Sequence, residues 1–212
     1  MEIIRPTVTL LAITPGAEKL IEKAGRTCYL SLERIAEGSE KSFIRNCIKS
    51  GHHSILEHAT ASFRITGASR AFTHQLVRHR LASFSQQSQR YVDEAGFNYI
   101  IPEQILADGD AASIFRDFMA RAEETYRILR EKGIRKEDAR FVLPNASESQ
   151  IVFSANFREL RTIFNLRLDR SAQWEIRRVC IEILKILQKE APSVFGDFII
   201  DDESMTARTE LV

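Results

Sequence analysis

Nine glycines are strung through the 212 residues, and no two lie closer than nine positions, as at Gly16 and Gly25. The chain therefore contains neither G-x-G-x-x-G nor G-x-x-x-x-G-K-[ST], the loops whose backbone amides cradle phosphate at a helix N-terminus. Rossmann and P-loop phosphate binding are excluded on this ground. Any nucleotide bound here must have its phosphates held mainly by side chains, a task for which guanidinium groups have the matching geometry.

One stretch is equipped for that task. From His58 to Val92 the chain holds Arg64, Arg70, Arg78, Arg80 and Arg90 but no carboxylate, whereas 29 acids in 212 residues would place about five in such a window. Between Gln75 and Tyr91 the arginines stand among hydroxyls and amides, which add donors for the remaining lone pairs of an anion. Two readings stay open from charge alone: a ligand phosphate, or pairing with acids distant in sequence.

The rest of the composition narrows the class. A net charge of +1 and a pI near 7.8 make the basic stretch a local device and speak against a protein that grips nucleic acid mainly by charge. Cys28, Cys47 and Cys180 are far apart with no C-x-x-C pair, which fits cytosolic thiols and gives neither a disulfide framework nor a zinc knuckle. No apolar run approaches the roughly 20 residues of a membrane span, and Met1 to Arg5 lacks a signal layout, so a cytoplasmic location is expected. With no linker-like stretch and no repeat, residues 1–212 are read as a single domain.

Periodicity gives the order of elements. Residues 2 to 13 read as a strand closed by Thr14-Pro15-Gly16, followed by helical spacing at Ala17, Leu20, Ile21, Ala24 and Cys28, and again at Phe43, Cys47 and Ile48 before Gly51. A strand is expected over 58–66, a helix over 68–80 with Phe72, Leu76 and His79 near one direction, and an ordered polar loop over 81–90. Tyr99 to Ile101 reads as a short extended piece, Phe115 to Leu129 as a long helix, 136–143 as a short one and 150–155 as a strand. Two helices, about 156–168 and one ending before Pro192, close the chain. Without a clean βαβ alternation the fold class is α+β, a mainly antiparallel sheet flanked by helices.

A second constellation lies late in the chain. Asn156, Leu160, Ile163, Phe164 and Arg167 share one helical face, so Arg167 points where the apolar residues point. Its helical neighbours Ile163, Phe164, Arg170 and Ser171 include no acid, and a distant acid or a ligand oxygen is required. Asn156 before Phe157-Arg158-Glu159 has the form of an N-cap with its partner at N3. His52, His53, Glu57 and His58 do not supply a positioned third ligand, and no metal is expected.

The arrangement R78-H79-R80-x-x-S83-x-x-x-x-S88-x-R90 resembles the signature of the flavin-dependent thymidylate synthases. So do G-H-H-S-I-L-E-H at 51–58, A-R-F-V-L-P at 139–144 and N-L-R-L-D-R-S-A-Q-W-E-I-R at 165–177, in the family's order. The resemblance implies reductive methylation of dUMP to dTMP with 5,10-methylenetetrahydrofolate as carbon donor, NADPH as reductant and FAD as hydride relay, in a homotetramer. It implies that Gln75, Arg78, Gln86, Gln87, Ser88, Gln89, Arg90 and Arg140 hold dUMP, with Arg90 and Arg140 near the phosphate. His52, Ser54, Arg78, His79, Arg80, Gln86, Asn156, Arg158 and Thr162 would lie at FAD. Arg167 would lie against the uracil as the catalytic residue, favouring its N3-deprotonated form, with no covalent enzyme nucleophile. The chain has Ser85 where many members have Asn, Gln86 where some have Glu, Thr162 where some have Asn and Ser171 where many have His. The competing reading is a single-stranded nucleic-acid-binding protein, stacking bases on Phe63, Phe72, Phe84 and Tyr91 between the arginines.

Overall fold

The computed structural model describes residues 5–211. In chain order it contains β1 (Thr7–Ile13), α1 (Ala17–Thr27), α2 (Ser39–Lys49), β2 (Thr60–Ser69), α3 (Arg70–Leu76), β3 (Ser83–Gln86), α4 (Glu103–Leu106) and α5 (Gly109–Glu131). There follow α6 (Lys136–Ala139), β4 (Glu148–Asn156), α7 (Phe157–Arg167), α8 (Trp174–Glu190), α9 (Pro192–Phe195), β5 (Ile199–Asp201) and β6 (Thr206–Arg208), with a 3-10 segment at His53–His58. Four strands bond in the order β1-β2-β4-β3, and β5 pairs antiparallel with β6, so the α+β class holds.

Three expectations need correction, and one element was not foreseen. The first strand is described from Thr7, and residues 2–4 of the predicted span lie outside the described residues. The helix expected over 68–80 covers only Arg70–Leu76, because β2 runs on to Ser69 and the carboxyl end gives way to turns. Inside the expected polar loop 81–90 lies β3, an edge strand of Ser, Phe, Ser and Gln that has no apolar alternation to reveal it. The hairpin β5-β6 went unread because its strands are three residues each.

The described chain divides into two compact units built from non-contiguous segments, which is why no linker marks them in the sequence. The first takes Ile65–Gln75 and Ser85–Ile151 with the described residues up to Thr7. Its long helix α5 starts at the N-cap Asp108, whose side chain accepts from the Asp110 and Ala111 amides, and it buries Ala112, Met119, Ala122 and Tyr126 on one stripe.

The second unit takes Val8–Arg64, Leu76–Phe84 and the chain from Val152 onward. Helices α1 and α2 pack on each other, as do α7 and α8, the last burying Ile176, Cys180, Ile183, Leu184 and Leu187 at the spacing read from the sequence. Phe63, Phe153 and Phe84 stack in series with centroids 6.0 Å apart at each step. Arg161 is buried and forks onto Asp197 at 2.7 and 2.8 Å while also donating to the Leu211 carbonyl at 2.8 Å. Removing one partner of such a pair costs on the order of 3–5 kcal/mol, so this clamp holds the C-terminal residues against α7.

Candidate active site

In the first unit, the polar segment after β3 is held from both sides. The Gln87 amide nitrogen donates to the Gln150 carbonyl at 2.9 Å, and the Gln87 side chain donates to Glu94 at 3.0 Å. Burial pushes the Glu94 carboxyl up, with the Gln87 hydrogen bond and Arg70 pulling it back, and burial likewise lowers Arg70. Gln86 donates to the hydroxyls of Thr73 and Ser149 at 2.8 and 3.2 Å, both of them buried, so its amide N–H groups are engaged within the fold. Gln75 donates to the Ala71 carbonyl at 3.4 Å, Gln89 is buried, and the Ser88 hydroxyl accepts from the Arg90 amide at 3.3 Å.

Arg90 and Arg140, fifty positions apart, come to the same residue. The Arg90 Nε donates to the Glu137 carboxylate at 3.1 Å, and the Arg140 Nε donates to the Glu137 carbonyl at 3.2 Å. Arg135 reaches the other carboxylate oxygen at 3.0 Å. Sequence reading missed Glu137 because a single half-buried acid 47 positions from its arginine carries no periodic signal. The distant-acid reading of the basic segment holds for Arg90, whereas Arg78 and Arg80 are exposed and their side chains make no hydrogen bond or ion pair among the described residues.

In the second unit, α7 begins at Asn156, whose Oδ1 accepts from the Glu159 amide at 2.8 Å as the N-cap pattern requires. The 3-10 segment at His53–His58 packs against α7. Arg158 on the first turn donates to Glu57 in that segment at 2.5 Å, and the Thr162 hydroxyl turns back to the Arg158 carbonyl at 3.2 Å. His52, Ser54, Arg78, Arg80, Arg158 and Thr162 are all exposed. Their cations, hydroxyls and one imidazole, with the Arg78 and Arg80 side chains making no bond among the described residues, are of the donor chemistry a dinucleotide pyrophosphate needs where no glycine-rich loop exists.

Arg167, at the far end of α7, departs from expectation. It is half-buried, and one partner is a histidine: the Arg167 Nε donates to the His79 Nε2 at 3.0 Å. His79 is 6% exposed, and its Nδ1 faces the Glu159 carboxylate at 3.6 Å. Burial and the adjacent Arg167 charge bring the His79 pKa from 6.5 down to about 4, so the ring is neutral near pH 7 and its Nε2 is free to accept. Glu159 is itself pushed up by burial. Two polar groups, each on an apolar stripe, were the signal that could have found this pair from sequence. Cys180, also near Arg167, is held protonated by burial, with its pKa pushed up to about 12.

Two stacking surfaces of the nucleic-acid reading are unavailable to bases, since Phe63 and Phe72 are 0% exposed. Among the described residues no group of three or more His, Cys, Asp or Glu stands together as a metal site, and no helix is long and apolar enough to cross a membrane.

The sequence profile of the thymidylate synthase complementing protein family matches residues 9–193. A protein of Geobacter sulfurreducens named flavin-dependent thymidylate synthase is 42% identical over 198 residues, covering 90% of this chain and 85% of its own length. Proteins of the same name from Clostridium tetani and Pyrococcus abyssi are 40% and 45% identical, covering 89% and 75% of this chain and 84% and 67% of their own lengths.

Proposed function

The chain belongs to the thymidylate synthase complementing protein family, and from that premise we propose that it is a flavin-dependent thymidylate synthase. The reaction is dUMP, 5,10-methylenetetrahydrofolate, NADPH and a proton going to dTMP, tetrahydrofolate and NADP+. The observation that carries this reading is the family match across residues 9–193, which includes Arg78, Arg80, Ser83, Ser88 and Arg90 at the signature spacing. Both units serve one catalytic domain, the assembly is a homotetramer, and the enzyme works in the cytoplasm, in keeping with three unpaired thiols.

FAD, when bound, supplies two-electron chemistry that carries hydride to the transferred carbon. Arg78, Arg80 and Arg158 neutralise its pyrophosphate, with Ser54, Thr162, Asn156 and His52 as polar neighbours and His79 and Gln86 among the residues assigned to its site. The dUMP phosphate is held by Arg90 and Arg140, the former exchanging Glu137 for the stronger anion. Gln75, Arg78, Gln86, Gln87, Ser88 and Gln89 complete the nucleotide contacts, and Glu94 keeps Gln87 in place.

Arg167 lies against the uracil and stabilises negative charge at N3, which raises electron density at C5 and makes that carbon the nucleophile. A fixed guanidinium in a half-dry site needs no reorganisation as the charge develops, and one such donor is typically worth about 2.7–4 kcal/mol. No thiol attack on C6 is needed, and burial raises the thiols of both Cys180 and Cys47.

Absorbance of the purified protein tests this reading. Flavin bands near one per chain are expected. A colourless preparation that binds single-stranded RNA in a salt-sensitive way would replace it with the nucleic-acid reading.

A further inference from the structure

We infer that His79 is a positioning residue: seated between Glu159 and Arg167, it fixes the rotation of the Arg167 guanidinium and so sets the plane that Arg167 offers to the uracil. This rests on the reading that Arg167 acts on the uracil.

The inference starts from where the histidine sits. Within Arg78-His79-Arg80 the two arginines are exposed while the imidazole between them is 6% exposed, so its chemistry is directed into the fold. Accepting the Arg167 Nε at Nε2 requires a neutral ring with its proton on Nδ1, and Nδ1 faces the Glu159 carboxylate. Glu159 is 6% exposed and stands in the first turn of α7, while Arg167 ends the same helix. The ring, carried by a separate segment, therefore lies between a residue of the first turn of α7 and the residue that ends it.

Two features set His79 apart from an ordinary core histidine. Its acceptor meets a guanidinium, where a backbone N–H would satisfy it equally well, and its other ring nitrogen faces a second buried polar group at 3.6 Å. Arginine carries about 2 kcal/mol of rotamer entropy, and a bond at Nε restricts rotation about the last torsion. Both ring nitrogens are directed at residues of this chain, so within the FAD site to which it is assigned His79 acts through Arg167.

A double-mutant cycle tests it, using flavin-loaded enzyme with kcat, KM for dUMP, calorimetric dUMP affinity and flavin absorbance as readouts. His79→Leu removes the acceptor and should lower kcat about ten- to hundredfold, with dUMP affinity within about threefold and flavin retained. His79→Gln returns an acceptor near Nε2 and should recover most of that loss. In an Arg167→Ala background, His79→Leu should cost nothing further. Losses that multiply in the double mutant, or a His79→Leu enzyme that loses flavin yet turns over normally when FAD is saturating, would overturn the inference alone. Normal turnover by Arg167→Ala would remove the underlying reading, and the inference with it. If His79→Leu does not fold, Glu159→Gln probes the same arrangement: a kcat loss that vanishes in the Arg167→Ala background supports it, and one that persists there refutes it.

Discussion

Acid should destabilise this protein through one identifiable histidine. His79 titrates at about 4 in the folded chain against 6.5 in the unfolded one, so between these values the unfolded state binds the proton and the folded state does not. Stability must then fall as pH falls through that window, with the full penalty reached below pH 4. At 1.36 kcal/mol for each tenfold difference in proton affinity the total is about 3.4 kcal/mol, of which about 2.4 kcal/mol falls between pH 7 and 4.5. The structure places Arg167 and Glu159 against the ring, and the raised pKa of Glu159 opposes the effect by favouring the folded state in acid. Comparison with His79→Gln isolates the histidine, because the amide keeps an acceptor but cannot titrate. Urea unfolding at pH 7 and 4.5, at fixed saturating FAD, should show the parent losing about 2 kcal/mol more than the variant. Equal losses would mean that His79 titrates normally, and the buried contact with Arg167 would be wrong.

Other substitutions separate the roles. Arg167→Ala should lower kcat at least a hundredfold, about 2.7 kcal/mol, while flavin content stays near that of the parent by absorbance. Glu137→Gln frees the Arg90 Nε from an exposed pair, so it should change stability by less than about 0.5 kcal/mol yet tighten dUMP binding in calorimetry, whereas Arg90→Ala should weaken it. A Cys28→Ser, Cys47→Ala, Cys180→Ala protein should keep its flavin and turn over within about tenfold of the parent. A folded, flavin-bound triple variant that makes no dTMP would establish a required thiol.

What could be read from the sequence followed the strength of local periodicity. Helices α5, α7 and α8 are long and amphipathic; α7 and α8 lie within about two residues of the expected spans, while α5 begins at Gly109, ahead of the expected Phe115. Strand β4 alternates cleanly, with Ser149, Ile151, Phe153 and Ala155 buried. By contrast β3 exists because β4 offers its backbone, and residues such as Ser83 and Ser85 carry no trace of that. The site divided in the same way. Asn156 could be identified as a cap because its partner is three residues on, whereas the partners of Arg90 and Arg167 lie 47 and 88 positions away. Periodicity placed His79 and Arg167 on apolar stripes of two segments, and only the fold joins them.

The central claim is that methyl transfer to dUMP runs on flavin. Its most direct test is dTMP formation from dUMP, 5,10-methylenetetrahydrofolate and NADPH by the purified protein, measured before flavin is stripped, after stripping, and after FAD is restored. The account predicts that dTMP formation disappears with the flavin and returns with it. Turnover that persists in the stripped protein, or that stays absent when FAD is bound again at full occupancy, would contradict it.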